Sequence, residues 1–136
     1  MRFETKIAVA LKDDLAPWQK LNVTAFTVSG IAGTDPDAIG EPYVDGSGNT
    51  YLPMFRHPVM VFAGTTEQLR AAYERAMEQG LRFAIFTQDL FATGHDAANR
   101  EVFAQHGPET AKVVGLALRE ERKLVDKITK GARMHP

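Results

Sequence analysis

The sequence predicts an α/β fold, a three-layer α-β-α sandwich around a mixed sheet of about four main strands, with a β-hairpin in addition. Three observations carry that prediction. Four short runs are apolar on both faces, as strands covered by helices on either side must be. Segments of helical period alternate with those runs, which is the pattern of strands joined by helical crossovers. Gly- and Pro-rich breaks fall between most of the elements.

The length sets the scale. A chain of 136 residues with 44% hydrophobic and 24% charged residues suits one globular domain spanning 1–136, with a real core. No apolar run reaches the ~20 residues of a membrane span, and Met1-Arg2-Phe3-Glu4 lacks the basic start and apolar centre of a secretion signal. A cytoplasmic protein without a membrane partner is therefore expected. The absence of cysteine removes disulfides, thiol nucleophiles and thiolate metal sites together.

Charge is uneven along the chain. Residues 110–136 carry seven bases (Lys112, Arg119, Arg122, Lys123, Lys127, Lys130, Arg133) against three acids, whereas 34–50 carry four acids and no base. A basic end of this kind fits either a solvated helix surface or an anionic partner.

Lys6-Ile7-Ala8-Val9-Ala10-Leu11-Lys12 reads as the first central strand. Asp13-Asp14 offers a helix N-cap, Pro17 suits a first turn, and Leu21, Ala25, Val28 and Ala32 trace one stripe of a helix ending near Ile31 to Gly33. Residues 42–52 read as two short strands around a Gly-rich turn, with Tyr43 and Tyr51 placed to pair across it. Pro58 to Ala63 is the second buried strand. Thr65 and Gln68 then have capping-box spacing, and Leu69, Ala72, Tyr73, Ala76 and Met77 form a helical stripe stopped by Gly80. Gly80 to Asp96 reads as a strand running into a polar turn, followed by a helix begun by Asp96. Lys112 to Leu118 is the fourth strand, in which Gly115 marks either close backbone approach or a bulge. Leu124, Val125 and Ile128 give a last short helix before Gly131.

Chemistry is sought where parallel strands end, because ligands of open α/β sheets bind outside those carboxyl ends. That singles out Asp89, Thr93, His95, Asp96 and the nearby Asn99. There is no Gly-x-x-x-x-Gly-Lys-Ser/Thr and no strand running into Gly-x-Gly-x-x-Gly, so no nucleotide cofactor is expected. His57, His95, His106 and His135 lack metal-ligand spacing, so no metal is expected either.

Several stretches resemble the type-2 peptidyl-tRNA hydrolases. Asp14-Leu15 followed by Lys20 resembles that family's Asp-Leu…Gly-Lys segment, and Gly80-Leu81 through Asp89 to Thr93 is similar to its Gly-Leu…Asp-Ala-Gly-Arg-Thr segment. Val113 to Leu118 and Val125-Asp126-Lys127-Ile128-Thr129-Lys130-Gly131 resemble its last strand and Asp-Lys-Val/Ile-Thr-Gly helix. The run Thr93-Gly94-His95-Asp96-Ala97-Ala98-Asn99-Arg100 is a signature of its own, which points to an uncharacterised branch, a domain-of-unknown-function family resembling that superfamily. The resemblance implies a peptidyl-tRNA hydrolase II-like fold and hydrolysis of peptidyl-tRNA or a related acyl ester, with Lys20, Asp89 and Thr93 as catalytic residues. A strand-end Asp and a nearby Lys suit that chemistry, since they can orient water and stabilise an oxyanion. The chain departs from the family at Gln19, Asn22-Val23-Thr24 and Ala92.

Two further readings stand beside it. One is a non-enzymatic module that binds a small anionic ligand or a peptide in the same cleft, through His95, Asp96 and Asn99 at a helix start. The other is a homodimeric scaffold joined through the hairpin or a sheet edge. Transfer RNA, a small anionic ligand and a second copy are thus the partners the sequence brings forward.

Overall fold

The computed structural model describes residues 3–136, so Met1 and Arg2 of the N-terminal reading lie outside the described residues. Its elements in order are β1 (Thr5–Lys12), α1 (Pro17–Thr34), β2 (Tyr43–Val44), β3 (Thr50–Tyr51), β4 (Val59–Gly64), α2 (Thr66–Glu78), β5 (Ala84–Thr87), α3 (Asp96–Phe103), β6 (Val113–Glu121), α4 (Arg122–Ile128) and β7 (Arg133–Met134). Among the described residues five strands form one sheet in the order β5-β6-β1-β4-β7, and β2 and β3 form a separate hairpin.

The sheet is mixed: β1 and β4 run parallel, while β6 is antiparallel to both β1 and β5 and β7 is antiparallel to β4. The carboxyl ends of β1, β4 and β5 therefore lie at one end. Ile7, Val9, Leu11, Val23, Ile31, Phe86 and Ala117 form the core on the α1 face. Ala8, Ala10, Leu69, Tyr73, Leu116, Leu118, Val125 and Ile128 form it on the α2 and α4 face. Burial on both faces explains why the strands read as unbroken apolar runs rather than as alternating ones.

α2 is specified as its sequence indicates. The Thr65 hydroxyl accepts the Gln68 amide N–H at 3.2 Å, the Gln68 side chain returns to the Thr65 N–H at 2.9 Å, and Leu69, Ala72, Tyr73 and Ala76 are buried, whereas Met77 at the end of the expected stripe is exposed. The hairpin also forms, with Tyr43 opposite Tyr51. Asp45 closes its turn by accepting from Ser47 N, Asn49 N, Asn49 Nδ2 and the Tyr51 hydroxyl, and these four donors push its carboxyl down to about 2.

Helix α1 differs from its sequence reading. Val23, Thr27 and Ile31 face the sheet, whereas Leu21 of the expected stripe is 72% exposed and Ala25 is exposed too. The helix is apolar around most of its circumference, so periodicity does not choose a side; Gly115 does. A Cβ on Gly115 would collide with Val23 Cγ1, and that close approach seats Val23 directly over β6. The pairing of β5 with β6 shifts register at the same place, between Phe86 and Thr87, so both sequence readings of Gly115 hold. The N-cap is Ala16, whose N–H is met by Gln19 Oε1 at 2.9 Å, and not Asp13 or Asp14. β5 is shorter than expected because a 3-10 turn takes over from Gln88 to Ala92. β7 was not legible as a strand.

Candidate functional site

The site is built around the 3-10 turn that follows β5. A 3-10 turn has three residues per turn, so successive side chains leave in three directions. Leu90 and Phe91 pack into the core under α1, Asp89 turns toward the segment after α3, and the Gln88 N–H is held by Lys112 O at 2.9 Å. The chain leaves the turn at Thr93, whose hydroxyl donates to Leu90 O at 3.0 Å, and enters α3 through Gly94 and His95.

A cleft of about 360 Å³ opens between α1 and the start of α3. Its walls are aromatic. Trp18 stands edge-on to Phe91 at 5.8 Å, Phe91 meets Phe86 at 5.0 Å, and Phe86 meets Phe26 at 5.9 Å. Trp18 and Phe26 are each 57% exposed, although they are large apolar side chains on a helix that has a buried face available.

The rim is polar. Asn22, Thr93, His95, Asp96 and Asn99 line it. His95 caps α3 by accepting the Ala98 N–H on Nδ1 at 3.2 Å, which puts its proton on Nε2. The Thr93 hydroxyl also contacts the Asn99 side-chain amide, whose NH₂ keeps at least one N–H for the cleft. Among the described residues neither His95 Nε2 nor Asn99 Nδ2 meets a protein partner. Asp96 instead pairs with Arg100 at 2.8 Å, and that hydrogen bond raises the arginine further.

The residues singled out from sequence therefore divide. Thr93, His95, Asp96 and Asn99 come together at the cleft. Lys20 lies on the other flank of α1, with Nζ 3.1 Å from Nε2 of His135 just beyond β7. Asp89 is 3.0 Å from His106 Nε2 on the α2 side of the turn. The structure does not gather Lys20, Asp89 and Thr93 around one pocket, because the 3-10 turn and the helix flank send them three ways. Trp18, Phe26 and Phe91 are the site residues that the sequence reading missed; the signal for Trp18 and Phe26 was an aromatic on exposed turns of α1, hidden by the assumption that apolar helix residues point inward, and Phe91 lies in the 3-10 turn that the sequence reads as a loop. His106 was missed because nothing in its local sequence places it beside Asp89.

The family model described as "Protein of unknown function (DUF2000)" matches residues 5–136. The chain belongs to the DUF2000 family. A solved structure of a protein of unknown function from Agrobacterium tumefaciens strain C58 is similar at 56% identity and a TM-score of 0.96, over 99% of this chain and 100% of that one. No curated protein matches. The domain-of-unknown-function expectation is thereby established, and a peptidyl-tRNA hydrolase relationship is not shown by any of these likenesses. Family membership brings no assigned chemistry with it, so function has to be argued from the site.

Proposed function

We propose that this DUF2000 protein is a small-ligand-binding module whose site is the aromatic cleft between α1 and α3. The observation that supports it most directly is the exposure of Trp18 and Phe26 beside two unused donors, His95 Nε2 and Asn99 Nδ2. Aromatic walls with a few convergent polar groups are what a small-molecule site requires. Stacking surface on one side and donors on the other select a planar, aromatic ligand with a carboxylate or another acceptor edge. The first N–H groups of α3 favour that edge being anionic.

Trp18 is the chain's single tryptophan, so the cleft reports on itself. In a thermal-shift screen of aromatic carboxylates, a ligand present at about 100 times its Kd adds ~2.7 kcal/mol, or several degrees of Tm. The same ligand should change Trp18 emission, and Asn99→Ala should weaken it by about tenfold, the loss of one hydrogen bond to a charged group. Stabilising ligands that leave Trp18 emission untouched would place binding elsewhere and refute the proposal.

Hydrolysis of peptidyl-tRNA by Lys20, Asp89 and Thr93 fits less well, since each of the three has a separate partner. RNA binding through the basic end is weakened as well, because Arg119 is held by Asp37 at 3.0 Å and Asp35 at 3.5 Å. A second reading, self-association through the hairpin, is favoured by the exposure of Tyr43, Val44, Tyr51, Leu52 and Met54.

A further inference from the structure

We propose that Thr110 is an activated nucleophile, with His106 its general base and Asp89 the residue that positions that base, forming an acyl-transfer centre separate from the aromatic cleft. Asp89 Oδ2 lies 3.0 Å from His106 Nε2, and His106 Nδ1 lies 3.0 Å from Thr110 Oγ1. A carboxylate only accepts hydrogen bonds, so Asp89 fixes the neutral imidazole's proton on Nε2. Nδ1 is then the acceptor, and the Thr110 hydroxyl must direct its proton to it. That is the order carboxylate, imidazole, hydroxyl that activates an oxygen nucleophile, recognised by geometry and roles rather than by position in the sequence. Thr110 is exposed while Asp89 and His106 are half-buried, as a nucleophile and its support should be.

The surroundings indicate the substrate class. His106 borders an apolar groove of about 530 Å³ lined by Tyr73, Met77, Leu81, Phe103 and Pro108. Thr110 borders a second groove, of about 700 Å³, whose lining carries three bases, Lys12, Arg70 and Lys112, and three acids, Glu67, Glu74 and Glu109. The pair thus stands on the ridge between them. An ester with an aliphatic acyl chain and a polar alcohol spans that ridge, its chain in the apolar groove and its leaving group on the charge-lined side. Lys112 has no ion-pair partner among the described residues, unlike Lys12 with Asp14 and Arg70 with Glu74. It is the cation available to the developing oxyanion.

The reaction balances. Thr110 Oγ bonds to the acyl carbon as its proton passes to His106 Nδ1, and collapse breaks the acyl C–O bond, with the alkoxide taking that proton. Water then adds to the acyl-threonine, giving a proton to Nδ1, and the carboxylic acid departs as Thr110 Oγ is reprotonated.

The test uses the full chain with a fluorophosphonate probe and a series of p-nitrophenyl esters. The wild-type protein should acquire one adduct, mapped to Thr110 by peptide mass spectrometry. Ester turnover should rise by roughly fourfold in kcat/KM per added methylene until the apolar groove is full, the burial of one CH₂ at ~0.8 kcal/mol. Thr110→Val, which keeps the shape and loses the hydroxyl, should abolish the adduct and lower turnover by at least about 10²-fold; Thr110→Ser should retain both. Asp89→Asn, which no longer fixes the tautomer, should lower kcat far more than it changes KM, at unchanged Tm. An unlabelled wild-type protein, an adduct at another residue, or equal turnover by the Val and Ser variants would overturn the proposal. The mapped adduct on wild-type protein decides it even if a variant fails to fold.

Discussion

Gly115→Ala tests how α1 is held over the sheet, and through α1 the placement of the cleft. The new Cβ would find Ala10 O and Leu11 Cδ2 at an ordinary 3.4 Å but would overlap Val23 Cγ1. Relief requires α1 or the Val23 side chain to shift by about an ångström, a form of overpacking that costs roughly 1–3 kcal/mol. Replacing a strand glycine returns roughly 0.5–1 kcal/mol of backbone entropy. The expected net loss is therefore about 1–2 kcal/mol, or ~3–8 °C in Tm for a chain of this size. Val23→Ala alone should cost ~2 kcal/mol, through two buried methyls and the space they leave. The double variant removes the overlap, so its loss should fall short of the sum by ~1–2 kcal/mol. Urea unfolding of all four proteins closes the cycle. Since Trp18 and Phe26 flank Val23 on the same helix, Gly115→Ala should also weaken a cleft ligand several-fold, and the double variant should recover it. Additive losses, or a Gly115→Ala variant as stable as wild type, would refute the close packing of α1 on β6.

Thr65→Ala removes the α2 cap and should cost ~1 kcal/mol, read as a lower urea midpoint with an unchanged slope. Asp45 is held down to about 2 by its four donors, so the order it gives the hairpin is complete above 3.8 and is lost as pH falls through about 2; Asp45→Asn should disorder the arm at neutral pH, seen in the amide signals of 43–51. Burial lowers His57 below its ordinary 6.5, so it supports the fold fully above 6.5 and withdraws that support as pH falls below it; His57→Phe should flatten that part of the stability–pH curve measured by urea unfolding. Light scattering should show a self-associated species dispersed by Leu52→Asp, if the exposed hairpin residues pair between copies.

What the sequence made legible is what local physics decides. α2 was readable in its cap, its stop and all of its stripe but the exposed Met77, because these signals agree. The four apolar runs were readable as strands because each is apolar on both faces, although β4 is only half-buried. The inward face of α1 was not, since a helix apolar on most sides has no preferred one until a partner supplies it, and that partner is a glycine 92 positions away. β7 pairs only Phe62 with Met134 and Ala63 with Arg133, too short a ladder to leave a periodic trace.

The candidate site shows the same limit at closer range. Asp89 and Thr93 are four positions apart at a strand end, a spacing that reads as two groups facing one substrate when the turn is taken as an extended loop. In a 3-10 turn, residues three apart are eclipsed. Leu90 is then in line with Thr93, as the hydrogen bond from the Thr93 hydroxyl to Leu90 O shows, and Asp89 departs about a third of a turn away. One short turn thus separates two chemistries that the sequence runs together. Phe91 and Thr93 serve the aromatic cleft, while Asp89 reaches His106 and, through it, Thr110. The separation also makes the two proposals independent, because among the described residues the side-chain partners of His106 are Asp89 and Thr110, neither of which lines the cleft. Asn99→Ala should therefore weaken ligand binding and leave labelling of Thr110 intact. A parallel loss of both would mean that the turn moves as one unit and that cleft and nucleophile form a single site.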